Sequence, residues 1–112
     1  MNTKEIWLVQ FQPQRGSEIS KVRPAVIVNV NAVGVLPLRV VVPITEWKDR
    51  YNYADWMVKI RPNQTNGLNK VSAADCFQVK SVSTERFVVK SGNLEDKVYN
   101  DIRYGLKSVL GL

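Results

Sequence analysis

The chain of 112 residues has no histidine and only one cysteine, Cys76. With a single thiol no intrachain disulfide can form. Without histidine, Ser–His and Cys–His nucleophile pairs are excluded, and most zinc sites with them. Catalysis, if present, falls to Arg, Lys, Glu, Asp, Tyr, Ser or Thr. A cysteine with no histidine to activate it reads as a small buried hydrophobe in a strand. No apolar run approaches the roughly 20 residues that span a bilayer. Residues 1–5, Met-Asn-Thr-Lys-Glu, carry no signal-peptide pattern. A cytoplasmic protein is expected. There is no P-loop, dinucleotide fingerprint, metal-ligand cluster, internal repeat or low-complexity tract. No metal and no cofactor is therefore expected.

What is present is a basic chain of ordinary hydrophobicity. Sixteen Lys and Arg face ten Asp and Glu, a net charge of +6, and 45% of residues are hydrophobic. The length predicts one domain over residues 1–112 with a single core. The charge favours an acidic partner, either nucleic acid or an acidic protein. No basic amphipathic helix of the membrane-surface kind is visible, so no membrane partner is expected.

The pattern predicts short strands followed by one helix. Residues 5–11 form the first strand, around Ile6-Trp7-Leu8-Val9. A polar loop with Pro13 and Gly16 follows over 12–22. Strands are predicted at 24–30 and 38–45, with Pro43 near the end of the latter, where a ladder tolerates a missing donor. A fourth strand spans 56–60, and Asn66-Gly67 marks a turn. A fifth spans 72–82 and a sixth 87–90. Leu94, Val98, Ile102, Leu106, Val109 and Leu110 then recur at helical spacing, with Asn93 as N-cap. The fold class is mainly β (α+β): a small, strongly bent antiparallel sheet or barrel with a C-terminal helix.

The stretch from Gly16 to Pro24 presents Arg23 at the mouth of Ala25-Val26-Ile27-Val28. Guanidinium grips phosphate through parallel hydrogen bonds, and Pro24 restricts the backbone before it. The same stretch also reads as a plain loop ending in Arg-Pro. If the second and third strands pair antiparallel, Arg23 and Thr45 share one rim, where together they suit a phosphate. Glu18 is a candidate proton acceptor or a solvated charge. Asp75 is either half-buried or faces water. The segment 47–56 mixes Trp47, Tyr51, Tyr53 and Trp56 with Lys48 and Arg50. It suits either base stacking with phosphate contacts or core anchoring beside a barrel mouth.

Three blocks together closely resemble the MazF/PemK family of toxins. They are Gly16-Ser17-Glu18 through Arg23-Pro24-Ala25-Val26, then Val42-Pro43-Ile44-Thr45, then Phe77-Gln78-Val79-Lys80-Ser81-Val82. The resemblance implies an SH3-like barrel, a homodimer, and a ribosome-independent endoribonuclease acting on single-stranded RNA. It implies a cognate antitoxin whose acidic C-terminal segment covers the RNA groove. Arg23 and Thr45 match the family's catalytic pair, with Glu18 and Ser17 in its active-site loop. The implied RNA-binding set is Ser17, Lys21, Trp47, Lys48, Arg50, Tyr51, Gln78 and Lys80, with Asp75 as a possible acid or base. The family reaction uses the substrate's 2′-OH and leaves a 2′,3′-cyclic phosphate, with neither metal nor protein nucleophile. A guanidinium is a poor proton shuttle, so Arg23 is assigned to the transition state rather than to proton transfer. One departure stands out. Some members carry an Arg and an Asp two positions apart ahead of the glutamine, and here those positions hold Asp75 and Phe77. Two other readings remain: a gyrase poison of the same fold, and an inactive antitoxin-binding barrel.

Overall fold

The computed structural model describes residues 1–11 and 22–112. Among the described residues it contains seven strands and one α-helix: β1 (Glu5–Gln10), β2 (Val22–Ile27), β3 (Leu38–Glu46), β4 (Met57–Ile60), β5 (Ser72–Asp75), β6 (Lys80–Ser83), β7 (Phe87–Asn93) and α1 (Asp96–Leu110). All ladders are antiparallel. The sheet runs β4-β5-β3-β2-β1-β7, with β6 also pairing β3. It is bent but not closed, because no ladder joins β4 to β7 among the described residues. The segment 61–71 bridges the gap instead, with the Asn93 N–H donating to Thr65 O at 2.8 Å.

β3 organises the sheet, and Pro43 organises β3. Along one edge β3 pairs β6 from Leu38 to Val41, then β5 from Ile44 to Glu46. Val42 and Pro43 have no ladder partner on that edge. The Val28 N–H donates to Val40 O on the β2 side. Backbone polarity alternates along a strand, so the Pro43 nitrogen faces away from β2, toward this gap. A residue without an N–H is tolerated at such a break. Opposite it the chain leaves the ladder as a 3-10 turn, Cys76–Gln78. The single strand expected over 72–82 is therefore two strands joined by that turn. The Asp75 carboxylate fixes the turn by accepting from the Phe77 N–H at 3.1 Å.

Other boundaries also move. β2 begins at Val22, not 24, so Arg23 lies within the strand. β3 continues to Glu46, so Pro43 is interior. Asn93 belongs to β7, and the helix N-cap is Glu95, which makes no side-chain cap. Asn93 fails as a cap because its N–H is spent on Thr65, which holds it in extended backbone.

Both faces of the sheet are apolar. On the helix side lie Ile6, Val26, Val42, Ile44, Val58, Ile60, Ala74, Cys76, Leu94 and Ile102. On the other lie Val9, Phe11, Ala25, Ile27, Val41, Val82 and Phe87. Burial of each Ile or Phe contributes about 1.5–3 kcal/mol. The helix lays Val98, Ile102, Leu106 and Val109 on the first face, whereas Leu110 is exposed. Gly105 lets the helix approach the 3-10 turn. A Cβ there would stand 2.7 Å from Cys76 Sγ.

That contact yields a double-mutant test. Gly105→Ala gains helix propensity, yet overpacking costs about 1–3 kcal/mol. Urea unfolding should show Gly105→Ala less stable than wild type. Adding Cys76→Ala should recover part of the loss, since the new methyl then occupies the space vacated by sulfur.

Candidate active site

Arg23 and Thr45 meet because of strand register. Ala25 pairs Pro43 directly. Two residues outward on each strand, on the same face, stand Arg23 and Thr45. The Arg23 Nη1 donates to Thr45 Oγ1 at 3.3 Å. The Arg23 Nε is buried and has no hydrogen-bond partner among the described residues. A buried donor left unmatched costs about 1–3 kcal/mol, so the site is set to take an acceptor.

Two clefts flank this pair, and Arg23 and Thr45 line both. One, of about 260 Å³, is walled by Pro43, Lys48, Arg50, Tyr51, Asp75 and Gln78. Its three cations, counting Arg23, outnumber its one carboxylate. The segment 46–56 delivers them through a short 3-10 helix, Asp49–Tyr53. There the Arg50 guanidinium lies 5.4 Å from the Tyr51 ring centre. Tyr51 also meets Trp47 edge to face at 5.6 Å.

The other cleft, of about 340 Å³, is walled by Leu8, Glu46, Leu68, Asn69, Lys70 and Ser91 among others. Its wall between β4 and β5 is held by Asn66, which is 1% exposed. Asn66 Oδ1 accepts from the Leu68 N–H at 3.0 Å, and Asn66 Nδ2 donates to Arg61 O at 2.9 Å. Gly67 has φ +69°, and a Cβ there would lie 2.0 Å from Ser91 O. Asn66 lacks the positive φ that Gly67 has, so Asn66-Gly67 is not the type I′ hairpin turn, which needs it at both positions. It is a side-chain-anchored loop pressed on β7. An exposed Lys70–Glu46 ion pair at 3.9 Å sits at this cleft.

The expected site residues thus divide. Arg23, Thr45, Lys48, Arg50, Tyr51, Asp75 and Gln78 converge. Trp47 and Lys80 do not line either cleft. Trp47 packs under Lys59, whose Nζ lies 4.7 Å from the ring centre, and Lys80 lies over Phe11. Ser17, Glu18 and Lys21 lie outside the described residues. The second cleft takes Leu68, Asn69 and Lys70 from the loop 62–70, which the sequence marks, with 46–55, as a candidate specificity loop without giving its conformation. Sequence reasoning missed the exposed edge-to-face pair of Trp56 and Phe77, 5.7 Å apart.

Asp75 is 8% exposed, and both of its oxygens are engaged. Oδ1 accepts from the Phe77 N–H and Oδ2 from Gln78 Nε2 at 2.8 Å. Cys76 is fully buried, and its thiol is raised from 9.0 to about 12 by desolvation first and by Asp75 second. It is no nucleophile at neutral pH. Among the described residues no group of three or more Cys, Asp or Glu side chains gathers as for a metal ion.

Residues 2–110 match the family model for PemK-like, MazF-like toxins of type II toxin–antitoxin systems. The chain belongs to this family. It is 32% identical over 124 aligned positions to a Mycobacterium tuberculosis protein named Endoribonuclease MazF9, covering 100% of this chain and 98% of that one. Its fold matches MazF from Deinococcus radiodurans at a TM-score of 0.80 and 23% identity, over 100% and 97% of the two chains. It also matches a mycobacterial endoribonuclease solved in complex with its cognate antitoxin, at a TM-score of 0.77 and 17% identity, over 100% and 96%. The PemK/MazF fold thus accommodates the open, bent sheet and single helix seen here. Among the described residues no helix is long and apolar enough to cross a membrane.

Cys76 gives this toxin-family chain a definite alkaline response. Between about pH 9 and 12 the unfolded thiol releases its proton while the folded one keeps it. Stability from this group therefore falls as pH rises, by at most about 1.4 kcal/mol per pH unit. Urea unfolding at a series of alkaline pH values should show a steeper decline for wild type than for Cys76→Ala.

Proposed function

We propose that this protein is the toxin of a type II toxin–antitoxin pair and an endoribonuclease that cleaves single-stranded RNA at a phosphodiester gripped by Arg23 and Thr45. The observation that carries the reading is the hydrogen-bonded Arg23–Thr45 pair at the junction of two clefts, with the Arg23 Nε buried and unmatched. A phosphate oxygen supplies the acceptor this donor needs. The clefts on either side then take the nucleosides that flank the phosphate.

The 2′-OH of the substrate attacks the adjacent phosphorus, and the bond from phosphorus to the 5′-oxygen breaks. The 2′-proton passes to a base, and the leaving oxygen takes up a proton. The products are a 2′,3′-cyclic phosphate and a 5′-OH. Charge builds on the non-bridging oxygens in the pentacovalent transition state. Arg23 stabilises that charge, and the Thr45 hydroxyl donates alongside it. Because the nucleophile belongs to the RNA, a chain without histidine suffices. Lys48 and Arg50 hold neighbouring phosphates, and Tyr51 offers a stacking face. The basic clefts also suit the acidic segment of an antitoxin, which blocks RNA by occupying the same surface. The protein acts as a homodimer, as the family resemblance implies.

Purified protein and single-stranded RNA, incubated with EDTA, should give cyclic-phosphate ends. Arg23→Ala and Thr45→Val should each lower the cleavage rate by about 10²–10³-fold. Arg23→Lys should also be impaired, because a point charge does not replace the planar fork. Intact RNA with wild type, or equal rates in Arg23→Ala, refutes the reading. Inhibition of DNA supercoiling with no RNA cleavage would instead favour a gyrase poison.

A further inference from the structure

We propose that Asp75 is a positioning residue: it turns the Gln78 side-chain amide so that Gln78 reads an RNA base through its carbonyl oxygen. This rests on the RNA-cleavage reading above and deepens it. A carboxylate only accepts hydrogen bonds, whereas an amide offers a donor end and an acceptor end. Gln78 Nε2 donates to Asp75 Oδ2 at 2.8 Å. The other oxygen, Oδ1, accepts from the Phe77 N–H, so the carboxylate itself cannot swing away without uncapping the turn. Asp75 is buried, while Gln78 is exposed and lines the cleft with Arg23, Thr45, Arg50 and Tyr51. The amide is therefore held with nitrogen inward, and Oε1 carries no hydrogen bond among the described residues.

A fixed acceptor in a base-sized cleft selects bases that present a donor. Cytosine offers its N4 amino group where uracil, of the same size, offers the O4 acceptor. Uracil's own donor is N3–H, so it is at the 4-position of the base that Gln78 favours cytosine over uracil. Asp75→Asn would retain the cap through its carbonyl oxygen. Its new amide nitrogen would oblige Gln78 to accept, turning the Gln78 amino group into the cleft. The preference then reverses toward uracil. In Asp75→Asn/Gln78→Glu the Asn amide donates to the Glu carboxylate, and an acceptor faces the cleft again.

The test is fluorescence-anisotropy binding of 2′-O-methyl RNA hexamers with cytosine or uracil at each position in turn. These cannot be cut, so binding is read apart from cleavage. At one position wild type should favour cytosine by about tenfold. Asp75→Asn should erase or reverse that preference, and the double variant should restore it at lower overall affinity. Gln78→Leu, which leaves the cap untouched, should also lose it, and this decides the matter if Asp75→Asn unfolds. No pyrimidine preference in wild type, or one unmoved in both single variants, overturns the proposal. Wild type that discriminates yet leaves unmodified RNA intact refutes the cleavage reading alone. RNA cleavage with a preference indifferent to Asp75 and Gln78 refutes this proposal alone.

Discussion

A missing hydrogen-bond donor sets the plan of this sheet. The Pro43 nitrogen points to the edge of β3 where β6 ends and β5 begins. Any strand continued across that point would leave a carbonyl without a partner, and a buried orphan costs more than a turn does. The chain instead coils once as Cys76–Gln78. Three consequences follow from that coil. The sheet bends, since the two partners of β3 need not lie in one plane. Cys76 is driven under the helix, where Gly105 makes room. Asp75 and Gln78 are delivered to the cleft that Pro43 also lines.

The site is then a matter of register. Ala25 facing Pro43 places both in the sheet's second face, and parity carries that face outward to Arg23 and Thr45. Both side chains leave the apolar zone where it meets solvent. Arg23 buries its Nε there while the rest of the guanidinium reaches the two clefts. Electrostatic contacts in such surroundings are stronger than in bulk solvent. The same surroundings make an unmatched donor costly, and an anion relieves that cost.

Much of the fold was legible from local chemistry. The apolar runs at Ile6-Trp7-Leu8-Val9 and Ala25-Val26-Ile27 gave strands, and the spacing from Leu94 to Val109 gave the helix. Their antiparallel pairing placed Arg23 beside Thr45. What was not legible depends on long-range partners. Residues 72–82 have continuous strand character, and only Pro43, some 30 positions earlier, shows why the strand breaks. Asn93 has good capping chemistry, but Thr65 holds its backbone in β7. Trp47 and Lys80 have the residue types of a nucleic-acid surface. Packing under Lys59 and over Phe11 takes them from the clefts. The Asn66 anchor is invisible in sequence, since a buried asparagine and a turn asparagine are spelled alike.

Catalytic duty, as the family resemblance implies it, combines fixed charge with proton transfer, and the proposed function assigns the two to different groups. Arg23 is suited to charge and unsuited to exchange, because a guanidinium does not lose its proton near neutral pH. Asp75 occupies the right cleft for a base, but both of its oxygens are already acceptors within the fold. Each oxygen keeps a free lone-pair site, yet each also holds part of the turn, one through the Phe77 N–H and the other through the Gln78 amide. A carboxylate with two structural duties is a poor shuttle, whatever its distance from substrate. The same two duties make it a good clamp. The replacement by Phe77 of the acidic residue that some relatives carry is therefore consistent with a division of labour. On the proposed reading the strand-borne carboxylate orients, the arginine stabilises, and the proton leaves by another group.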